Sequence, residues 1–181
     1  RTLTFQFTTM AAPFNLLGTL ESAGASSINS PFSVPAGGLV RVLGRSGGGT
    51  SLLTVANGFA NQGTIELTSQ DTSFSVTLNA TSGALTNAVG GLIRVLQGTL
   101  GTRTLGLELD NRGTLQIERN TSLTKPTGKH RFAGTVDLAA GTALTIAGGG
   151  SVETTHAGAN WTGTGTLNLP TSRPFNLETD Y

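Results

Sequence analysis

The chain has 181 residues, a net charge of +1 and no cysteine. That is one domain's length, without the basic surface that nucleic acid or an anionic membrane would need. It also excludes a disulfide framework, thiolate chemistry and a Cys-ligated metal. Charged residues make up only 12%, about half the usual share, and no apolar run is long enough to span a bilayer. Thr, Ser, Asn and Gly fill the polar positions, and no segment makes a convincing amphipathic helix. The nearest, Leu105 to Glu118, is broken by Gly106 and Gly113 and alternates with period two.

In chain order, residues 1–9 alternate cleanly, with Leu3, Phe5 and Phe7 on one face and Thr2, Thr4, Gln6 and Thr8 on the other. This is a strand. Pro13 and Asn15 then turn the chain into a short motif that recurs seven times: Gly, a small or apolar residue, an aliphatic, a polar residue, and usually another aliphatic. It starts at Gly18, Gly38, Gly63, Gly91, Gly113, Gly134 and Gly165, at intervals from 20 residues (Gly18 to Gly38) to 31 (Gly134 to Gly165). A repeat of that length predicts a solenoid. Within each motif the aliphatic pair, such as Ile65 and Leu67, points inward and the polar positions point outward. The Gly suits a sharp turn into the strand, where φ is free to be positive. Upstream, Phe59-Ala-Asn61, Leu85-Thr-Asn87 and Leu109-Asp-Asn111 place an Asn at a corner, where Asn tolerates left-handed backbone and bonds its own chain. Stacked coils would set these Asn residues one above another.

Between motifs, Leu52–Val55, Phe74–Leu78 and Ala143–Ile146 read as second strands, and Leu105, Leu107 and Leu109 point inward. Ser22–Pro31 reads as a loop, Gly44–Gly49 as a flexible corner, and Gly148–Asn160 as a long Gly/Thr loop ending at an inward Trp161. No linker divides the chain. One solenoid domain spans 1–181, with an N-terminal strand or cap at 1–17, coils at 18–169 and a tail at 170–181. The expected fold is all-β, a parallel β-helix of about seven irregular coils, whose size and irregularity favour the right hand. The chain opens at Arg1 without Met or leader, which reads as a processed product or an excised fragment.

The third position after each Gly forms an outward column: Glu21, Arg41, Glu66, Arg94, Gln116, Asp137 and Asn168. Stacking would put neighbours about 4.8 Å apart. The first four alternate in sign, an arrangement that contributes roughly 0.2–1 kcal/mol per pair and opposes slipped registers.

The pattern apolar-x-Asn-x-Gly-Thr-Ile/Leu-x-aliphatic at 59–67 and 109–117, with Trp161-Thr-Gly-Thr-Gly-Thr-Leu, resembles the repeats of bacterial surface proteins built as right-handed parallel β-helices. These are the filamentous-haemagglutinin-like adhesins and autotransporter passengers. The resemblance covers roughly residues 14–170. It implies export to the cell surface or medium, a rod shape, and an adhesive or structural role.

A search for chemistry returns little. Glu21 and Glu66, two coils apart, are separated by Arg41, which keeps both ionised, the reverse of what a general acid requires. Asp71, Glu108, Asp110 and Glu118 read as solvated corner charges without a calcium-loop signature. His130 and His156 have no nucleophile or metal partner at ligand spacing and read as surface residues. Gly44–Gly49 lacks the Lys-Ser/Thr ending of a phosphate loop. The Thr column Thr19, Thr64, Thr114, Thr135 and Thr166 is interrupted by Leu39 and Leu92, which argues against an ice-ordering plane. The sequence therefore predicts a non-enzymatic extracellular structural or adhesive module with no cofactor and no metal. Its expected partners are further copies of itself, neighbouring repeats of a longer chain, or surface glycans, and Leu3, Phe5 and Phe7 are the expected joint between subunits. The alternative is a carbohydrate-binding or polysaccharide-cleaving β-helix.

Overall fold

A computed structural model describes residues 1–71, 73–125, 128–147, 153–169 and 175–178; for Glu153 and 175–178 it describes the backbone alone. Among these residues there is no helix, and every strand pairs in parallel with strands of neighbouring coils. The chain is a β-solenoid of about six turns. Its first face stacks Thr2–Gln6, Thr19–Ala23, Leu39–Gly44, Thr64–Ser69, Leu92–Val95, Thr114–Ile117, Thr135–Leu138 and Asn160–Gly163, in sequence order. The second face runs from Thr9–Met10 through Ala25–Ile28 and Ser51–Val55, then on to Thr121–Thr124, Ala143–Ala147 and Thr166–Asn168. A third face carries Ser33–Val34, Phe59–Asn61, Lys129–Phe132, Glu153–Ala157 and Phe175–Glu178. The long strands Val76–Asn87 and Arg103–Asn111 round the corner and serve the second and third faces together, with a register shift between Asn79 and Ala84.

The core is a set of columns, because period-two alternation sends the same residue of each coil inward. On the first face Leu20, Val40, Ile65, Ile93, Leu115 and Val136 stack in register, and beside them Val42, Leu67, Val95, Ile117 and Leu138 do the same. All are buried. Leu53, Leu78, Leu105, Leu123 and Ile146 form the matching column on the second face.

The Asn residues stack as expected, but for a different reason. None has a positive φ. Instead Asn61, Asn87 and Asn111 are fully buried and joined in a row: Asn61 Nδ2 donates to Asn87 Oδ1 at 2.8 Å, and Asn87 Nδ2 to Asn111 Oδ1 at 2.7 Å. The same nitrogens also donate to the carbonyls of Leu92 and Thr114, and Asn111 Nδ2 to that of Thr135. The row satisfies backbone acceptors at a corner that water does not reach. The motif glycines likewise are chosen for space. Only Gly18 among them has a positive φ, whereas a Cβ on Gly63, Gly113 or Gly134 would collide with the carbonyl oxygen of Gly38, Gly91 or Gly113 in the coil before.

Several sequence expectations change. The seventh motif does not continue the first-face columns: Trp161 takes the inward place opposite Val136, and Thr166–Asn168 pairs with Ala143–Ala147 on the second face. The 31-residue interval before Gly165 is long because it holds an extra first-face strand. Leu167 is consequently half-buried, and Leu169 is 38% exposed. Ser22–Pro31 is not a plain loop but contains the strand Ala25–Ile28, and the expected Gly/Thr loop contains Glu153–Ala157. In both, small polar residues hide the alternation. Of the tail, Phe175–Glu178 pairs with Glu153–Ala157; residues 170–174 and 179–181 lie outside the described residues.

Candidate functional site: the charge ladder and the corner arginine

The outward column of the first face is a continuous ladder. Register pairs Glu21 with Arg41, Arg41 with Glu66, Glu66 with Arg94, Arg94 with Gln116, and Gln116 with Asp137. Arg41 binds Glu66 through Nη2 at 2.9 Å and Nε at 3.0 Å, and reaches Glu21 at 3.8 Å. Arg94 closes on Glu66 at 3.5 Å from the other side and on Glu118 at 3.9 Å. Arg45 adds a second cation to Glu21 at 3.1 Å. Six charges thus form one network, and its central member Glu66 is only 7% exposed. Asp137 ends the ladder by accepting from the Thr162 hydroxyl at 3.1 Å. Asn168 is not part of it: that residue lies opposite Thr145 on the second face, for the reason given for the seventh motif. Thr166 leaves the Thr column in the same way and pairs with Ala143.

Leu3, Phe5 and Phe7 do not share one exposed face. Leu3 lies over Leu20 and is 43% exposed, Phe5 is 2% exposed and packs on Phe14, and Phe7 is 66% exposed. Phe7 has a φ of 51°, past the end of its strand, and its ring covers Gly24. Alternation fails there because the strand stops at Gln6.

The acidic corner residues do not converge. Asp110 holds Arg112 at 2.7 Å and Arg131 at 3.6 Å, and its hydrogen bond and charge raise the Arg112 pKa above the usual arginine value. Asp71 accepts from the Ser46 N–H at 3.1 Å. No group of three or more His, Asp or Glu able to hold a metal occurs among the described residues. His130 is not a surface residue: it is buried, and its Nδ1 accepts from the Leu109 N–H at 3.3 Å. His156 is half-buried beside Trp161.

Comparison with protein-family models, with curated proteins and with solved structures finds no match to this chain.

The sequence reading missed Arg103. It is 1% exposed and fills the inward position between Val76 and Thr121 at the corner joining the first and second faces. Its Nη2 donates to Ser69 Oγ at 2.7 Å and to the carbonyls of Gln97 and Thr99, both at 3.3 Å; its Nη1 donates to the carbonyls of Phe74 and Thr102. Burial, assisted by the charge of Arg119, pushes its pKa down to about 10. It remains charged at neutral pH and ties together a loop whose carbonyls would otherwise face the core. The signal was present: Arg103 has the same parity as Leu105, Leu107 and Leu109.

Proposed function

We propose that this chain is a non-enzymatic structural module of an exported surface protein, a rigid β-solenoid segment that extends by joining strand to strand at its ends. The resemblance to filamentous-haemagglutinin-like repeats agrees with this reading. So does the ladder, in which Glu21 and Glu66 are both held in ion pairs and neither is placed as a proton donor. The observation that carries it is the outer edge of Thr2–Gln6, with which no strand pairs among the described residues. The Arg1 carbonyl accepts from the Thr19 N–H at 3.0 Å. Alternation along a parallel strand then turns the peptide groups of Thr2 and Thr4 toward the open edge. A row of such groups is a template for strand addition. The occupant that fits is the Asn160–Gly163 end of a second copy, which continues the same face in the same direction, and a head-to-tail contact of this kind does not close.

The test is sedimentation and electron microscopy of the full chain beside Thr4→Pro, which removes an edge N–H while leaving the bond to Thr19 intact. Filaments from the full chain and monomers from Thr4→Pro are the expected results. A full chain that stays monomeric at high concentration overturns the joining of copies and assigns the edge to neighbouring coils of a longer chain.

A further inference from the structure

Loop lengths at the corner between the first and second faces are uneven, and the unevenness carves a recess. In successive coils this corner lies between Ser69 and Val76, then at residues 96–102, 118–120 and 139–142. The three-residue corner at 118–120 is the shortest of these four, so its side chains form the floor of a notch between the taller 96–102 and 139–142 corners. Two adjoining cavities result. One of about 610 Å³ is lined by Gln97, Thr102, Arg119, Asn120 and Thr142 among others, and one of about 430 Å³ by Asp71, Ser73, Gln97, Thr99 and Arg119 among others. Gln97 and Arg119 line both, so the two cavities meet at these side chains, and the larger one also holds Asn120. Three strand spacings separate the outer loops, roughly 14 Å.

Arg119 dominates its chemistry. It is half-buried, and among the described residues no side chain bonds or ion-pairs with its guanidinium. The buried cation Arg103 lies close enough to be perturbed by it, and itself bonds only carbonyls and a hydroxyl. The two carboxylates on the rim are already engaged: Glu118 with Arg94 at 3.9 Å, and Asp71 with the Ser46 N–H at 3.1 Å. Two exposed amides flank the cation. Asn120 Oδ1 accepts from the Ala143 N–H at 2.9 Å, which leaves its NH₂ as a donor facing solvent, and Gln97 has both ends of its amide available. A planar cation between hydroxyl- and amide-bearing side chains matches a ligand rich in hydroxyls and carrying a carboxylate.

We propose that this corner recess binds a short acidic oligosaccharide, with the guanidinium of Arg119 on a sugar carboxylate and Gln97 and Asn120 on neighbouring hydroxyls. The assignment is independent of whether copies join at their ends, because the recess lies on the side of the stack.

Calorimetric titration with tri-galacturonate, beside its fully methyl-esterified form, tests it. The expected result is saturable binding of the acid, weaker by about tenfold for the ester and by about tenfold in Arg119→Gln, the worth of one charge-assisted contact. Arg119→Lys should retain part of the affinity. Because the Arg119 guanidinium bonds nothing among the described residues, all variants should melt with the parent, which separates loss of binding from loss of fold. Equal binding of acid and ester, undiminished binding by Arg119→Gln, or no saturable binding of the acid overturns the proposal. Acetate binding as tightly as the trisaccharide would reduce the recess to a simple anion site and overturn the saccharide assignment.

Discussion

The middle coils and the two ends use the same repeat and reach different states. Between Leu39 and Leu138 every inward aliphatic of the first face has a neighbour above and below, and all are sealed. At the N-terminal side the inward Leu3 remains exposed, with Phe7 and Leu17, and at the C-terminal side Leu169 does; the exposed Leu52, Val89 and Leu100 of the middle coils lie off the inward columns. The side-chain chemistry changes too. Aliphatic columns fill the middle, whereas Phe5, Phe14, Phe32 and Phe59 stack at 5.4–6.1 Å between ring centres toward one end. Phe132, Trp161 and His156 cluster toward the other. A large ring covers more core per residue than Leu does, which suits a coil with a neighbour on one side only. In a quasi-one-dimensional fold, stability depends on nearest-neighbour interfaces. A lesion in the middle breaks two interfaces, and a lesion at an end breaks one.

Mutations graded along the axis probe that difference. Ile93→Ala, in the middle, should cost about 2–5 kcal/mol in denaturant unfolding, since no neighbour can collapse into the space. Asn87→Ala should cost about 2–4 kcal/mol by the same measurement, because it strands the donor of Asn61 and the acceptor of Asn111 in a buried row. Arg103→Met should cost about 1–3 kcal/mol, leaving the loop carbonyls without their donor. Its pH dependence has a definite sign. The folded pKa of Arg103 is depressed to about 10, below the usual arginine range, so above pH 10 the unfolded chain holds more protons there than the folded one. The deficit of Arg103→Met relative to the parent should therefore grow as pH rises through that window and shrink below it. Glu66→Gln should cost about 1 kcal/mol, less in high salt, because its partners are a third exposed. Leu169→Ala, at the open end, should change stability by less than about 0.5 kcal/mol. An effect as large as that of Ile93→Ala would show that the ends are as tightly sealed as the middle.

The sequence made the architecture legible where side-chain size alternated. Motifs such as Gly63-Thr-Ile-Glu-Leu located the first face, and the ladder from Glu21 to Asp137 followed from simple stacking. It failed where alternation was written in small residues. Ala25-Ser-Ser-Ile28 and Glu153-Thr-Thr-His-Ala157 are strands whose inward residues do not stand out by hydropathy. It failed again where every Gly motif was taken to open a first-face strand, which put Asn168 and Thr166 onto the wrong face. Arg103 was passed over, although its parity places it with the inward Leu105, Leu107 and Leu109. The corner recess was not legible at all: it arises from differences in loop length between coils, and those need strand boundaries to the residue.

The row of buried amides at Asn61, Asn87 and Asn111 carries an arithmetic of its own. Each amide gives one hydrogen to the next coil's oxygen, so the row has a sense, with nitrogen toward the later coils. The final donor finds the Thr135 carbonyl, but the first oxygen, on Asn61, is buried without a partner because Val34 occupies the step before it. Adding an Asn at 34 would only carry the leftover acceptor one coil back. However long the row grows, it ends with the same remainder. Only a side chain that gives a single hydrogen and accepts none, as an indole N–H does, would close the sequence.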